Sequence, residues 1–338
     1  MHGFYKRRVK CAAKFIALPL LIVALAFCGC SEPTDEGFSG NGAIRGNAGE
    51  PVGEVTFIDV GEGDAIYAEF GDGENLLIDC GEKSKDNFEA ISDTIKSYGE
   101  TEIDYLVLTH ADADHVGGAA DIINEFTVKN AYIPLVLNKE LFPAFAAATN
   151  ALSASETNVK ISAEYETVSG EGFFFTFLSP EPTGFYGGAY ADFNSSLMPN
   201  ERERNDISAV IYLDICGVRF LFTGDAGIAA ENKILLNAQA GVYGKAANRE
   251  VTLYETDFLK VAHHGANDST SEEFLAAVRP KNAVISTGLN YYGHPSAETI
   301  AEIYAFSEGC NVYRTDVCGD IKVSVFFDGT YKVFTQAD

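Results

Sequence analysis

Basic residues are scarce in this sequence. Its 338 residues include 24 Lys and Arg against 49 Asp and Glu, which gives a formal net charge of −25. No cluster of Lys or Arg follows residue 15. Such a surface repels polyanions, whereas a DNA-binding domain would usually carry a basic stripe. The composition therefore favours a soluble monomer without a strong nucleic-acid-binding surface, and it counts against tight, salt-dependent DNA binding.

An apolar run long enough to span a membrane is also missing. Residues 15–29, FIALPLLIVALAFCG, form an uncharged run of 15 residues, and a spanning helix needs about 20. The run follows a basic head and ends in small residues, which is typical of a secretory signal. Residues 26–31, AFCGCS, resemble a bacterial lipobox, which implies that residues 1–29 are removed and that Cys30 carries a lipid. Lipidation at Cys28, a plain signal peptide and an uncleaved anchor are the alternatives, and each places the body outside the cytoplasm.

The residues from Cys30 onward divide into a tether and a domain. Residues 30–51 are rich in Gly, Ser, Asn and acid and have almost no large apolar residue, so they predict a flexible tether. Without residues 1–29, 19 Lys and Arg stand against 49 Asp and Glu, a net charge of −30. Residues 52–338 are expected to form one folded domain.

Cysteine is uncommon in that domain as well. Cys80, Cys216, Cys310 and Cys318 are the cysteines that follow Cys30. In an oxidising compartment Cys310 and Cys318 could pair across the strand and turn between them. The sequence does not fix the geometry that a disulfide requires, so the bridge and its absence both stay open.

Hydrophobic patterns indicate many strands with helices between them. Apolar runs predict strands at EVTFIDV, AIYAEF, NLLIDC and IDYLVLTH, and an amphipathic helix is predicted over residues 86–98. Three further strands, FFFTFLSP, ISAVIYLDI and VRFLFTGD, precede a last third in which strands and helices alternate and a final hairpin. This order predicts two sheets packed together and covered by helices.

Residues 109–115, THADADH, combine two histidines and two aspartates directly after a buried strand. The loop emerges at a sheet edge, where functional sites are usually built. His110 and Asp112 can turn the same way, and Asp114 and His115 follow a step later, which suffices to ligate two adjacent metals. An Asx-type turn with a capping aspartate is the alternative. Such a turn would explain one of the aspartates but not two histidines and two aspartates so close together. The segment therefore predicts a metal site.

The other histidines after the signal also lie at strand ends. LKVAHHG carries His263 and His264, and LNYYGHPS carries His294. FLFTGD ends at Asp225, for which a turn or a helix cap is the alternative reading. One metal centre explains five histidines in such positions better than five separate structural roles do.

These segments resemble a known family. FIDVGEGDA, LLIDCG, LTHADADHVGGA, FLFTGDA, LKVAHHG and VYRTDVCGDI occur in the order seen in metallo-β-lactamase-fold hydrolases. They look most like the soluble domain of ComEC, the competence DNA-uptake protein, over residues 54–328. The resemblance implies an α+β fold, a four-layer αβ/βα sandwich of two mixed sheets with the metal site at one edge. ComEC's membrane channel has no counterpart in the sequence, so a stand-alone relative is expected.

The resemblance also implies roles for individual residues. It assigns metal ligation to His110, Asp112, Asp114, His115, Asp225 and His294, with Asp225 as the bridging carboxylate. Catalytic roles fall to Asp114, His263 and His264, and one of the two adjacent histidines would ligate metal or protonate a leaving group. Asn205 stands where many members hold another histidine, which implies a weak ligand or a substrate contact. Asp59, Asp64 and Asp79 would border the site, and for them acceptance of backbone N–H groups is an equally good interpretation.

Some positions depart from the family pattern. Glu62 replaces the usual Gln, Cys80 replaces a Gly or Thr, and Ala266 replaces the Ser that often follows HHG, which removes a substrate hydroxyl contact. Asp112 stands where much of the superfamily has histidine. An oxygen ligand there makes the site harder and shifts its preference from Zn²⁺ toward Mn²⁺ or Mg²⁺. Two divalent ions, Mn²⁺ or Zn²⁺, are the expected cofactors.

The predicted function is that of an extracytoplasmic, lipid-anchored, metal-dependent hydrolase. Two metals would lower the pKa of a water between them and neutralise an attacked phosphodiester, which favours a phosphodiesterase or nuclease. The resemblance favours DNA as the substrate, while the acidic surface favours a nucleotide or a cell-wall phosphorylcholine ester. A lactonase or β-lactamase is disfavoured by Asp112. A surface lipoprotein that binds metal without turnover is the alternative of another class.

Overall fold

The strands of this chain form two mixed sheets. The computed structural model describes residues 49–136, 138–181 and 204–337. The predicted signal of residues 1–29, the lipidation of Cys30 and the tether up to residue 48 lie outside the described residues. Within the described part, the strands are β1 (Gly53–Phe57), β2 (Ile66–Phe70), β3 (Asn75–Ile78), β4 (Glu102–Val107), β5 (Thr127–Ile133), β6 (Asn158–Ile161), β7 (Thr167–Ser169), β8 (Phe173–Ser179), β9 (Val210–Ile215), β10 (Val218–Phe222), β11 (Phe258–Lys260), β12 (Asn282–Ile285), β13 (Asn311–Arg314), β14 (Ile321–Val325) and β15 (Tyr331–Thr335).

Each sheet has a parallel part and an antiparallel part. The first has the strand order β15-β14-β1-β2-β3-β4-β5-β6, and the second has the order β13-β12-β11-β10-β9-β8-β7. The neighbours from β3 to β6 and from β10 to β13 run parallel, and the other pairs are antiparallel. Strands such as NLLI and FFFTFLS are buried along their whole length, as expected for strands covered on both faces.

Helices cover the outer face of each sheet. They are α1 (Lys85–Ser97), α2 (Ala113–Val116), α3 (Ala119–Glu125), α4 (Pro143–Ala154), α5 (Ile228–Gln239), α6 (Val242–Ala247), α7 (Glu272–Val278), α8 (Ala297–Phe306) and α9 (Thr315–Cys318). One apolar cluster lies between the sheets, a second packs the first sheet against α1, α3 and α4, and a third packs the second sheet against α5, α7 and α8. The predicted αβ/βα sandwich is therefore confirmed, and the helix predicted over residues 86–98 is α1.

The cysteines of the domain contribute to these clusters. Cys318 packs between the sheets and Cys310 in the outer cluster of the second sheet, and they form no disulfide. Cys80 is fully buried, and burial raises the pKa of its thiol well above the ordinary value. Among the described residues, no helix has both the length and the apolar character needed to cross a membrane.

Candidate metal centre

The candidate site lies where strands of both sheets end. The chain leaves β4 toward His110, leaves β10 toward Asp225, and leaves β11 toward His263 and His264. Neighbouring parallel strands present their carboxyl ends at one edge of a sheet, so side chains far apart in sequence meet there. The two edges face each other across the sandwich, and the site lies between them.

Four side chains converge at this edge and are called the four-ligand group below: Asp114, His115, Asp225 and His264. One ligand-capable atom from each lies within 4.8 Å of the others. His115 Nε2 is 3.1 Å from Asp225 Oδ1, and His264 Nε2 is 3.3 Å from Asp114 Oδ2. His110 lies beside the group, with its Nε2 3.8 Å from Asp225 Oδ2. Five of the side chains predicted from the strand ends therefore lie together, and one of them, His264, comes from the HHG pair.

Each of the three imidazoles presents Nε2 to the site because its Nδ1 is bound elsewhere. His115 Nδ1 is 2.7 Å from Asp79 Oδ2, and His264 Nδ1 donates at 2.9 Å to a backbone carbonyl just past β12. The Thr109 hydroxyl donates to Asp79, so it accepts from His110 Nδ1 at 3.1 Å. Partners of this kind fix the tautomer and leave the Nε2 lone pair for a metal.

Buried polar atoms without hydrogen bonds are concentrated at this site. They include His110 Nε2, His115 Nε2, His264 Nε2, Asp225 Oδ1 and Asn205 Oδ1. Buried polar groups are nearly always hydrogen-bonded in folded proteins, so a cluster of such atoms points to a ligand. Imidazole nitrogens and carboxylate oxygens are donors for both Zn²⁺ and Mn²⁺. The described residues therefore fit a divalent metal centre.

The ionisable side chains of the four-ligand group lie close enough together to shift one another's pKa values. Burial would lower the pKa of His115, but the carboxylates of Asp225 and Asp79 outweigh burial and raise that pKa well above its ordinary value. The pKa of His264 is also raised, against the effect of burial and chiefly by Asp225. For the Asp225 carboxyl, burial would raise the pKa, but His115 and His264 hold it well below the usual range. In His110, burial and the neighbouring His115 lower the pKa, so this imidazole is neutral.

Metal binding is therefore expected to release protons and to strengthen as the pH rises. The raised pKa values keep His115 and His264 protonated in the metal-free protein at pH values where an ordinary histidine is neutral. A metal must displace those protons, so its affinity falls as the pH falls. Calorimetric titration with Zn²⁺ in buffers of different ionisation enthalpy counts the protons. An affinity that does not change between pH 5 and pH 8, with no proton release, would contradict this coupling.

The structure does not bring Asp112 into the four-ligand group. Its Oδ1 accepts from Arg204 Nε at 2.7 Å, and its Oδ2 accepts from Nε at 3.0 Å and from Nη2 at 2.7 Å. A bidentate pair of this kind occupies both carboxylate oxygens with charge-assisted hydrogen bonds. The metal-ligand role of Asp112 stays a prediction. Arg204, which the sequence reasoning missed because it lies 92 residues away, adds a guanidinium to the site.

The two histidines of the HHG turn point in different directions. Both have left-handed backbone angles, φ 49° and ψ 47° at His263 and φ 52° and ψ 22° at His264. Residues other than glycine adopt such angles only where the surrounding structure enforces them. As a result His264 enters the four-ligand group, while His263 Nδ1 lies 2.9 Å from Asp268 Oδ1. His294 lies outside the group, with Nδ1 3.5 Å from a Glu62 carboxylate oxygen, and its ligand role stays a prediction.

The three bordering aspartates have different surroundings. Asp79 is fully buried and accepts from Thr109 N at 2.8 Å and from the Thr109 hydroxyl at 2.6 Å, in addition to its contact with His115. Asp59 is exposed and accepts from the Gly61 N–H at 3.1 Å, apart from the metal-capable groups. Asp64 is buried and pairs with a lysine.

That lysine, Lys260, is a buried cation that the sequence reasoning missed. Its Nζ lies 2.5 Å from Asp64 Oδ2 and 3.8 Å from Asp225 Oδ1, and it donates to the Gly224 carbonyl at 3.1 Å. Lysine is almost never fully buried unless it is paired, and Lys260 has 0% exposure. Its position inside the apolar strand FLKVA was the available signal. It places a fixed positive charge behind the four-ligand group.

A cavity of about 490 Å³ opens over the site. Asp114, Asp225 and His264 form its floor, and its walls include Arg204, Phe142 and Tyr292. This volume lies in the range of small-molecule sites.

Comparisons with known proteins identify the family of this chain and several relatives. The family model for the metallo-β-lactamase superfamily matches residues 58–289. The chain is similar to ComE operon protein 3 of Bacillus subtilis, with 27% identity over 304 residues that cover 85% of this chain and 35% of that protein. It is also similar to Recombination protein 2 of Haemophilus influenzae, with 27% identity over 286 residues that cover 82% of this chain and 30% of that protein. The chain thus spans about a third of the length of these curated relatives.

One solved structure is similar to this chain at low sequence identity. The metallo-β-lactamase fold protein YhfI from Bacillus subtilis aligns with a TM-score of 0.46 and 12% identity, and the match covers 78% of this chain and 97% of that one. The family match covers more than half of the chain. The chain is also similar to Competence protein ComA of Neisseria gonorrhoeae, with 34% identity over 130 residues that cover 37% of this chain and 17% of that protein. The chain therefore belongs to the metallo-β-lactamase superfamily and is ComEC-like within it.

Proposed function

We propose that this chain is an extracytoplasmic, membrane-anchored phosphodiesterase that depends on divalent metal. The observation that carries the proposal is the convergence of three imidazole Nε2 atoms with the carboxylates of Asp114 and Asp225 at the floor of a small cavity. Anchoring through Cys30 belongs to the proposal and rests on the lipobox-like sequence alone.

Two divalent ions, Mn²⁺ or Zn²⁺, are part of this proposal. The four-ligand group would hold one ion. His110 and Asn205, whose Nε2 and Oδ1 atoms are buried without hydrogen bonds, would hold the other together with the shared Asp225. When bound, the ions would activate a water molecule for attack at neutral pH and would neutralise charge on the attacked phosphate. Because both carboxylate oxygens of Asp112 accept hydrogen bonds from Arg204, they give no reason to prefer Mn²⁺ over Zn²⁺.

The chain's own residues would supply charge and a proton. Arg204 lines the cavity with its guanidinium oriented by Asp112, which suits contact with a phosphate oxygen. His263 also lines the cavity, and its Nδ1 lies 2.9 Å from Asp268 Oδ1, a carboxylate that would stabilise the protonated imidazole. Its Nε2, which lies 3.5 Å from the Asn205 side-chain amide nitrogen, would then carry a proton to a leaving oxygen. His263 is therefore assigned to proton donation, and His264 to metal ligation.

Removing His263 is expected to lower kcat by an amount that depends on the leaving group of the substrate. The His263→Ala variant should lose about 10²- to 10⁴-fold in kcat with an alkyl leaving group, which needs a proton as it departs. The same variant should retain most of its activity on bis-p-nitrophenyl phosphate, because p-nitrophenolate leaves as an anion. Steady-state rates on matched p-nitrophenyl and methyl diesters measure this difference. Equal losses on both would remove His263 from the proton-donor role.

Small phosphodiesters fit the site better than duplex DNA. The net charge of −25 repels a polyanion, and the cavity holds a ligand of small-molecule size. The names of the relatives, which include Recombination protein 2 and Competence protein ComA, keep DNA among the candidate substrates. A phosphorylcholine-type esterase and a metal-binding surface lipoprotein without turnover are the alternative functions.

A substrate panel tests the proposal. The purified protein, loaded with Mn²⁺ or Zn²⁺, is offered bis-p-nitrophenyl phosphate, a dinucleotide, a phosphorylcholine ester and single-stranded DNA. His110→Ala and Asp114→Asn should lose the activity, whereas Asp121→Asn, a surface aspartate that pairs with Lys83, should keep it.

The outcomes separate the alternatives. Turnover of small diesters without cleavage of DNA supports a phosphodiesterase and rejects the nuclease version. A clear preference for the phosphorylcholine ester favours the esterase. Tight metal binding without turnover of any substrate favours the non-catalytic lipoprotein, and activity that survives in both site variants refutes the proposed centre.

A further inference from the structure

The loop between β12 and α8 presents apolar side chains to solvent at the mouth of the cavity. Leu289, Tyr291 and Tyr292, called the aromatic lip below, are 98%, 102% and 78% exposed. All three line the same cavity as the four-ligand group. Contiguous apolar side chains that are exposed beside a functional site mark a place where a ligand binds.

The lip stands on a tightly hydrogen-bonded turn. Asn290 Oδ1 accepts from the backbone N–H groups of Tyr292, Gly293 and His294 at 3.1, 2.9 and 3.1 Å. Asn290 Nδ2 donates to the His294 carbonyl at 2.8 Å and to Glu62 Oε2 at 3.0 Å. The turn is therefore tied both to itself and to the loop after β1. Preorganisation of this kind lowers the entropic cost of binding a ligand to the exposed rings.

Aromatic rings continue from the lip into the site. The Tyr292 and His294 rings are stacked with centroids 5.7 Å apart and an interplanar angle of 26°. The His294 and His263 rings follow with centroids 5.3 Å apart. A planar group lying against Tyr292 would extend this row outward, while the group attached to it reached the cavity floor.

The charge of the chain indicates what kind of group this is. A net charge of −25 offers little long-range attraction to an anionic substrate, so affinity must come from contacts that do not depend on charge. Stacking of a neutral nucleobase on an aromatic side chain is such a contact. A quaternary ammonium group would instead be expected in a cage of several rings, whereas the tyrosines of the lip are open to solvent.

We propose that the aromatic lip binds the nucleobase next to the scissile phosphodiester, so that the substrate class is a nucleotide diester. This inference rests on the proposed function, because it places the phosphate of that substrate at the four-ligand group. Tyr291 and Tyr292 then determine specificity through their rings, and their hydroxyls are not required.

Two pairs of ligands test the lip with the metal-loaded full chain. The first pair is thymidylyl-thymidine and its abasic analogue, compared by kcat/KM. The second is thymidine 5′-monophosphate and 2-deoxyribose 5-phosphate, compared by calorimetric binding, which needs no turnover. The ligand with a base should be favoured about 5- to 150-fold in each pair, the range that corresponds to one stacked base. The effect should lie mainly in KM.

Variants of the two tyrosines test whether the aromatic lip causes the preference for ligands that carry a base. Tyr291→Ala with Tyr292→Ala should bring both ratios close to one, whereas the double Phe replacement should keep them. Tyr304→Ala is the matched control, since Tyr304 is 53% exposed on α8 and is not among the residues that line the cavity. Phosphocholine is included as a third ligand for binding.

Each result bears on the lip or on the proposed function separately. Equal binding of ligands with and without a base, ratios unchanged in the double Ala variant, or tighter binding of phosphocholine would overturn the inference. Base-dependent binding without cleavage of either diester would refute the phosphodiesterase and leave the lip intact. Cleavage of both diesters at the same rate, with no base preference in binding, would refute the lip alone.

Discussion

The Asp225→Asn variant is expected to lose tight metal binding and, with it, diester hydrolysis. Asp225 Oδ1 lies 3.1 Å from His115 Nε2, and Oδ2 lies 3.8 Å from His110 Nε2 and 3.6 Å from His264 Nε2. Among the residues that the structure describes, this carboxylate lies in contact range of all three imidazoles. Removal of an outer partner of a metal ligand costs about 10- to 100-fold in metal affinity. Loss of a carboxylate shared by the whole centre should cost more than that.

Metal affinity, measured by competition with a chromogenic chelator, checks this prediction independently of activity. Asp214→Asn provides a matched control, because Asp214 lies in β9 and its carboxylate accepts from the Gly217 N–H at 2.8 Å, away from the four-ligand group. The control should bind metal as the wild type does. Asp225→Asn protein that is folded by circular dichroism and binds metal with unchanged affinity would exclude Asp225 from the centre.

The Lys260→Met variant is expected to show the largest loss of stability among single changes at the site. Lys260 and Asp64 are both buried, with 0% and 1% exposure, and Nζ lies 2.5 Å from Asp64 Oδ2. Methionine preserves much of the volume but leaves the Asp64 carboxylate buried without its cation. Breaking a buried ion pair in this way costs about 3–5 kcal/mol. The free energy of unfolding, measured with denaturant in the presence of a chelator, gives the cost.

A second change distinguishes a broken ion pair from poor packing. Adding Asp64→Asn to Lys260→Met removes the uncompensated charge and should recover part of the stability. Lys85→Met is the surface control, because Lys85 pairs with Glu89 one helical turn away in α1. An exposed pair of this kind contributes little to stability. A loss in Lys260→Met as small as in the control, or a double variant less stable than the single one, would contradict the ion-pair account.

The fold could be predicted from the sequence because the strands are strongly apolar and because the motifs occur in the same order as in metallo-β-lactamase-fold hydrolases. The run NLLI and the strand that leads to His110 are buried along most of their length, so hydrophobicity located them. The order of the strands in each sheet could not be read in the same way. It depends on pairing between distant segments, such as β14 beside β1, which no local pattern encodes.

The site was predictable where a ligand directly follows a strand. His110 and Asp225 lie within three residues of the ends of β4 and β10, and the fold brings those ends together. His263 and His264 could not be told apart, because adjacent residues share every local signal. In the left-handed turn that they form, His263 contacts Asp268 and His264 joins the four-ligand group. The sequence pattern contains no trace of that conformation.

Asp112 illustrates the effect of a distant partner. Alternation along the loop predicts that Asp112 turns toward the same side as His110. In the structure, Arg204 engages both of its oxygens, and Arg204 is 92 residues further along the chain. Lys260 shows the opposite situation, since a lysine inside an apolar strand is a local signal of a buried ion pair. That signal is present in the sequence, in the segment FLKVA.

Metal content coupled to turnover is the most direct test of a metal-dependent phosphodiesterase. The purified chain is stripped with a chelator, reloaded with increasing Mn²⁺ or Zn²⁺, and assayed at each step for bound metal by atomic emission and for hydrolysis of bis-p-nitrophenyl phosphate. Wild-type protein is expected to bind two ions per chain and to gain activity in proportion to occupancy, while Asp114→Asn gains neither. Hydrolysis that persists in the stripped protein, or full occupancy without hydrolysis of any diester, would contradict the account.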